Sequence, residues 1–450
     1  MRKLLVVFGL LALFAVVWQF SRTAEPMHDE SEALATASRL ECGQQIGRDF
    51  FQKQSEVFWQ GLRLIVRNAV SDADALAQAR VIACAILFLT LLGVWAISYL
   101  LVERKWLAWL SLVVLVASPL TMNEIMMVRD DAPMTTCLVW GVYFFIRYLK
   151  EEKALNLYVA ALLFSSATVL LLKAVPYVLV QAAVVLFLLL IKKRLRHLAP
   201  AVICAIIPAG VFVGWMWATE RLSMFYFSNI VFNGEMYQLN PSQIHGGEHL
   251  FRWWIFTLWR DEPAAMIAVV LGYLSSLWVI LRGQNRTLPI LGVGLAGVTV
   301  LMWNKIPQPS YYLQLQLGGI AAFPIFFDRL VHRLEERWPK TKQNLAIAGL
   351  TVVLVTFSVN VNNSLEKSRL TPSVERQFEN KVRLGGQLYP ILTACNSTRL
   401  LHGWEVRQRI LFTFCALHEQ NRIPPVIDWW YSEEYLPSCQ ITASPPLAVL

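Results

Sequence analysis

Two acidic clusters carry the residue types that chemistry at a membrane surface needs. Met27-His28-Asp29-Glu30 follows directly on the first apolar run, and Asn123-Glu124-Ile125-Met126-Met127-Val128-Arg129-Asp130-Asp131-Ala132-Pro133 precedes another. Two such clusters at one membrane boundary can converge, and a carboxylate held there has the field and the desolvation that a general base requires. Each cluster also has a plain structural reading. Acidic residues are favoured in the first turn of a helix by its dipole, which would account for Asp29 and Glu30. Pro133 opens the next apolar segment, so Asp130 and Asp131 stand where an N-cap is expected, and capping alone accounts for one of them. It does not account for Arg129 beside both.

Cations and aromatic residues recur near the same boundary. Lys173 lies in Leu172-Lys173-Ala174-Val175-Pro176-Tyr177, and Lys305 in Trp303-Asn304-Lys305-Ile306-Pro307-Gln308-Pro309-Ser310-Tyr311-Tyr312. A lone Lys at a helix end usually snorkels to the interface, but with Arg129 these two form a set able to bind a phosphate. Around Trp253, Trp254 and Trp259 stand His245, Glu248, His249, Arg252 and Arg260; the aromatics fit an interfacial belt. His245 and His249 have the helical spacing of a metal pair, but Gly246-Gly247 between them argues against a helix.

The elements that must position these groups are membrane helices. Hydrophobic residues make up 56% of 450 and charged residues 16%, with a mean hydropathy of +0.47; a water-soluble globule needs more polar surface than that. Apolar runs of about 20 residues start near Leu4, Val81, Trp106, Met134, Leu155, Val175, Ala199, Ala264, Leu288, Tyr312 and Leu345, which predicts about eleven spans. Alternate connections carry the Lys and Arg excess, at Glu103-Arg104-Lys105, Arg147 to Lys153, Lys192 to His197, Arg282 to Arg286 and Asp328 to Lys342. By the positive-inside rule those face the cytoplasm, so the net charge of +9 marks topology and not nucleic-acid binding.

The N-terminus is then expected in the cytoplasm; Met1 to Phe20 has the form of a signal peptide, but Ser21 to Pro26 lacks a clean small-x-small cleavage site, which favours an uncleaved anchor. Three longer polar segments lie outside the membrane on the other face: loops 21–80 and 220–262, and a C-terminal domain, 361–450, of mixed α/β character that follows a transmembrane module, 1–360. The stretch Asp49 to Trp59 has apolar residues at helical spacing and reads as a helix lying in the interface. No CxxC pair or zinc-finger spacing occurs among the seven cysteines. Cys42, Cys395, Cys415 and Cys439 fall in the outer segments, where one or two disulfides are expected, and Cys84, Cys137 and Cys204 fall within helices as small packing residues.

The order of these features resembles the GT-C superfamily of integral-membrane glycosyltransferases, in particular the group of protein O-mannosyltransferases and the lipid A aminoarabinose transferase. The likeness rests on Asp29-Glu30 in the first outer loop and Arg129-Asp130-Asp131-Ala132-Pro133-Met134 after the third span, and covers about residues 1 to 330. It implies an all-α polytopic membrane fold and an enzyme that moves one hexosyl or pentosyl unit from a polyprenyl-phosphate donor to a lipid, glycan or protein acceptor. The reaction would proceed with inversion on the extracytoplasmic face, in a bacterial inner membrane. Asp29 then matches the family's base and Glu30 would position it, while Arg129, Asp130, Asp131, Lys173, Lys305, Tyr311, Tyr312 and His245 would line the donor-phosphate or substrate site. Lys53 stands roughly where many bacterial relatives carry a Lys-Pro-Pro stretch, which this sequence lacks. Some relatives use a divalent cation, Mg or Mn, and Asp29, Asp130 and Asp131 are the residues that would hold one here.

Two other classes fit the composition. A secondary transporter would keep polar residues near the bilayer midplane, whereas the acidic residues here lie at helix ends. A non-catalytic envelope-biogenesis protein would leave the two acidic clusters without a joint role.

Overall fold

A computed structural model describes residues 2–24, 26–46, 49–50, 52, 56–235, 255–256, 259–260, 262–303, 311–337, 349 and 391–392. Among them the chain is helical, with no strand beyond one isolated bridge between Ile46 and Phe50. The helices are α1 (Arg2–Thr23), α2 (His28–Glu41), α3 (Val57–Asn68), α4 (Asp72–Leu101), α5 (Trp109–Val116), α6 (Pro119–Met126), α7 (Asp131–Glu151), α8 (Ala154–Leu170), α9 (Val175–Ile191), α10 (Leu198–Ala218), α11 (Leu222–Tyr226), α12 (Pro263–Leu281), α13 (Leu288–Trp303), α14 (Leu313–Ala322) and α15 (Pro324–Arg337). A π-helix, Phe227–Phe232, continues α11.

Every expected span start except Leu345, which lies outside the described residues, falls on or beside one of these helices. Among the described residues, five helical segments are long and apolar enough to cross a membrane: Asp72–Leu101, Leu172–Ile191, Leu195–Ala218, Pro263–Leu281 and Asn285–Met302. The chain is therefore an integral membrane protein. The run expected from Trp106 is not one helix but a 3-10 turn, Lys105–Ala108, followed by α5 and α6. The break falls at Ala117–Ser118, because the residue before a proline is disfavoured in the helical region.

The chain divides into two compact units. The first comprises Met1–Glu25, Arg80–Ala209 and Glu248–Val374, and the second Pro26–Ala79, Gly210–Gly247 and Glu375–Leu450. In the first, α7 and α8 form a tight hairpin, α9 packs on α13, and α12 packs on α14. This last contact depends on two glycines: a Cβ on Gly272 would sit 1.9 Å from the Gly319 carbonyl oxygen. Small residues at such crossings let membrane helices approach closely, where dispersion supplies much of the attraction. Arg80, buried, donates from Nη1 to the carbonyls of Ser21 at 3.1 Å and Ala24 at 3.3 Å, placing a cation where the α1 dipole is negative.

In the second unit, α2 packs against α3. Trp59, Leu62, Ile65 and Val66 form the buried stripe of α3, at the spacing of one helix face. The amphipathic helix thus begins at Val57 and not at Asp49, as the sequence pattern suggested. The backbone amides of Ile391 and Leu392 donate to the two Asp72 carboxylate oxygens at 3.0 and 2.8 Å. The remainder of the expected C-terminal domain lies outside the described residues.

Candidate active site

The approach to α7 is a buried charge network. Arg129 donates from Nη2 to Glu124 Oε2 at 3.0 Å, and its Nε lies 2.9 Å from Asp131 Oδ2. Lys173, on the turn that leads into α9, pairs with Asp131 Oδ1 and lies 4.6 Å from the Tyr311 ring centroid. These four charges cancel in pairs, as buried charges must.

Asp130 is the fifth member. It occupies the N-cap position of α7, but its side chain makes no capping hydrogen bond. It is 1% exposed, and neither carboxylate oxygen has a hydrogen-bond partner. Desolvation, reinforced by the negative charge of Asp131, holds its pKa well above the carboxylate range, at about 8. Capping therefore does not explain Asp130. An orphaned, protonated carboxyl beside two cations is instead a hydrogen-bond donor available to a ligand.

The first acidic motif folds as the N-terminus of α2. Glu30 accepts the Met27 amide at 3.0 Å through Oε2 and is fully buried, so it caps its own helix. Asp29 is the more open of the two, its side chain 46% exposed. It joins His28 and Glu32, whose ligand atoms lie together with its own within 4.8 Å. Gln52 Nε2 donates to Glu32 Oε1 at 3.0 Å and fixes its orientation. One imidazole and two carboxylates form a donor set suited to a divalent ion. The cation ligands expected from sequence were Asp29, Asp130 and Asp131; here Asp131 is engaged by Arg129 and Lys173, and Asp29 stands with His28 and Glu32.

The chain superposes on the crystal structure of ArnT from Cupriavidus metallidurans bound to undecaprenyl phosphate with a TM-score of 0.52, at 13% identity, over 87% of this chain and 77% of that one. It has a GT-C fold. The single-particle cryo-EM structure of the arabinosyltransferase EmbB from Mycobacterium smegmatis is similar at a TM-score of 0.44 and 13% identity, covering 91% of this chain and 41% of that chain. No known family and no curated protein matches the sequence itself.

On this GT-C fold, Arg129, Asp130, Asp131, Lys173 and Tyr311 come together as one cluster, and Asp29 and Glu30 share the first turn of α2. Tyr312 is buried just before α14. Lys53, Lys305 and His245 lie outside the described residues. Glu124, His28 and Glu32 were not expected as site residues. The signal for His28 and Glu32 was their position on one helix face with Asp29; Glu124 is evident only once Arg129 is seen to bend back to it. Cys42 is disulfide-bonded, with its partner outside the described residues, and Cys84, Cys137 and Cys204 are free.

Proposed function

We propose that this protein is an extracytoplasmic glycosyltransferase that moves a hexosyl or pentosyl unit from a polyprenyl-phosphate donor to a lipid, glycan or protein hydroxyl. The observation that carries the reading is Asp130, a buried carboxyl without a hydrogen-bond partner beside Arg129 and Lys173 on a GT-C fold. The solved ArnT structure is bound to undecaprenyl phosphate, which supports a polyprenyl-linked donor here.

In the proposed reaction Asp29 removes the proton from the acceptor hydroxyl as its oxygen bonds to the anomeric carbon. The bond from that carbon to the phosphate oxygen breaks on the opposite face, so the configuration inverts and polyprenyl phosphate leaves with the electron pair. Arg129, Lys173 and the protonated Asp130 meet the charge that develops on the phosphate, the electrostatic contribution that usually dominates such catalysis. Lys53, Lys305, Tyr311, Tyr312 and His245 are proposed as further donor contacts. Should a divalent cation such as Mn or Mg take part, His28, Asp29 and Glu32 would hold it, where it would screen negative charge.

The proposed topology has about eleven spans, a transmembrane module 1–360 and an extracytoplasmic domain 361–450, with the N-terminus in the cytoplasm and the C-terminus outside. Among the described residues, the one feature that fits a transporter instead is a small cavity of about 30 Å³ inside the first unit, lined by Tyr177, Gln181 and Gln314 among aliphatic residues. The deciding experiment incubates purified protein with a panel of radiolabelled polyprenyl-phosphate sugars. Transfer or slow hydrolysis by the wild type, lost in Asp29→Asn and in Asp130→Ala with membrane insertion intact, is the expected result. No turnover with any donor would end the enzyme reading.

A further inference from the structure

At the basic end of α12, in the first unit, three arginines stack on one aromatic ring and a fourth stands within their field. Trp278 lies in the last turn of α12, and the guanidinium carbons of Arg329, Arg282 and Arg333 are 3.2, 4.2 and 5.9 Å from its ring centroid. Arg282 follows α12 directly, Arg286 lies in the 3-10 turn Asn285–Thr287 that leads into α13, and Arg329 and Arg333 stand one turn apart on α15. The cluster thus marks the connection between two membrane-crossing segments, on the face that the positive-inside rule assigns to the cytoplasm.

Like charges repel, and no carboxylate among the described residues pairs with these four. The sequence has no acidic residue between Glu262 and Asp328, and after Glu336 the next is Glu366. The three carboxylates on α15 are committed elsewhere. Asp328 accepts from the backbone amides of Glu103 and Arg104 and pairs with the Arg104 guanidinium at 3.0 Å, Glu335 pairs with the same guanidinium, and Glu336 lies 3.2 Å from His332 Nε2. Helical spacing keeps the sets apart: Asp328 and Glu335, seven residues apart, share the Arg104 face, while Arg329 and Arg333, four apart, share the Trp278 face. Among the described residues none of the four arginine side chains makes a hydrogen bond or an ion pair, and Arg286 Nε and Arg329 Nη1 are buried without an acceptor. Burial, reinforced by the charges of Arg286, Arg282 and Arg333, lowers the Arg329 pKa to about 10.

These features select an anion. Ring stacking holds a guanidinium by its face and leaves its N–H edge free to donate. Leaving buried N–H groups without an acceptor is costly, and a phosphate supplies several oxygens and the missing negative charge in one group. Position decides the source of that phosphate. Arg282 ends one span and Arg286 opens the next, with Trp278 at the level where interfacial aromatics and lipid headgroups lie. A zwitterionic headgroup brings its own cation to a cluster that already repels cations, whereas a net-anionic one does not. We infer that Arg282, Arg286, Arg329 and Arg333 form a binding site for the phosphate of an anionic phospholipid headgroup. The bound lipid neutralises the joint between α12, α13 and α15, and this role does not depend on the transferase reading.

The test is native mass spectrometry on the purified, delipidated full-length protein, offered phosphatidylglycerol, phosphatidylcholine or inorganic phosphate, with thermal unfolding in detergent as a second readout. The expected result is a tightly held phosphatidylglycerol, weaker retention of phosphatidylcholine, and affinity for phosphatidylglycerol lowered about tenfold in Arg329→Gln and in Arg286→Gln. Both variants relieve like-charge repulsion, so without lipid they should unfold no lower than the wild type. Arg333 is exposed, and Arg333→Gln serves in their place should either fail to fold. Arg147→Gln removes a cation that is already paired with Glu151 at 2.7 Å and should leave binding unchanged. Equal weakening in Arg147→Gln and Arg329→Gln would reduce the site to a diffuse positive field and overturn it. Unchanged binding in the Arg329 and Arg286 variants, or equal retention of phosphatidylcholine, would do the same. Inorganic phosphate that stabilises as well as the lipid, with the same dependence on Arg329, would overturn the headgroup in favour of a free anion.

Discussion

Arg129 Nη2 donates to Glu124 Oε2 at 3.0 Å, and the same guanidinium also pairs with Asp131. Two carboxylates therefore share one cation, and Lys173 supplies the second positive charge through Asp131. Asp130 stands beside these charges with neither oxygen hydrogen-bonded, and desolvation, reinforced by the negative charge of Asp131, holds its pKa up at about 8.

This asymmetry separates two adjacent residues by experiment. Asp131→Asn leaves Arg129 and Lys173 short of a buried counter-charge and is expected to cost about 3–5 kcal/mol. Asp130→Asn replaces one neutral polar group by another and should cost less than about 1 kcal/mol. Thermal unfolding in detergent measures both; equal losses would show that Asp130 shares the network's charge.

Glu56 gives a pH dependence with a defined sign. Burial raises its pKa above the ordinary glutamate value, and Arg221 only partly offsets this. The folded state therefore holds the proton more tightly, so its stabilising contribution is full below the unfolded value and is lost as pH rises through the raised one. Relative to Glu56→Gln, the wild type should lose stability on going from pH 4 to neutral pH. Parallel pH profiles of the two unfolding midpoints would contradict the assignment.

The α12–α14 crossing has no room for a methyl group. Gly272→Ala places a carbon against the Gly319 carbonyl oxygen, which is backbone and cannot rotate away, so a loss of about 1–3 kcal/mol is expected. An unchanged midpoint would mean that the two helices are not in contact at this position.

Cation binding at α2 can be read without activity. If His28, Asp29 and Glu32 bind Mn²⁺, adding the ion should raise the unfolding temperature of the wild type through preferential binding to the folded state. Glu32→Gln should abolish the shift. A shift that persists in this variant would place the ion elsewhere.

Much of the architecture was legible locally. Apolar runs mark α1, α4 and α7 to α10 because hydropathy over about 20 residues is a sum that neighbours in sequence supply by themselves. His28, Asp29 and Glu32 meet for the same kind of reason, since helical periodicity alone brings positions three and four apart together. Asp130 was visible as a residue, but its role was not: whether it caps a helix or stands unpaired depends on what surrounds it.

Only the tertiary structure decided the pairings. Lys173 reaches Asp131 across 42 residues, and Arg221 reaches Glu56 across 165, with no spacing rule that connects them. Charge interactions fall with distance in space and strengthen with desolvation, and both quantities arise from packing. The sequence thus determined which helices form and which charged residues flank them, while the fold determined which charges cancel and which carboxyl is left over.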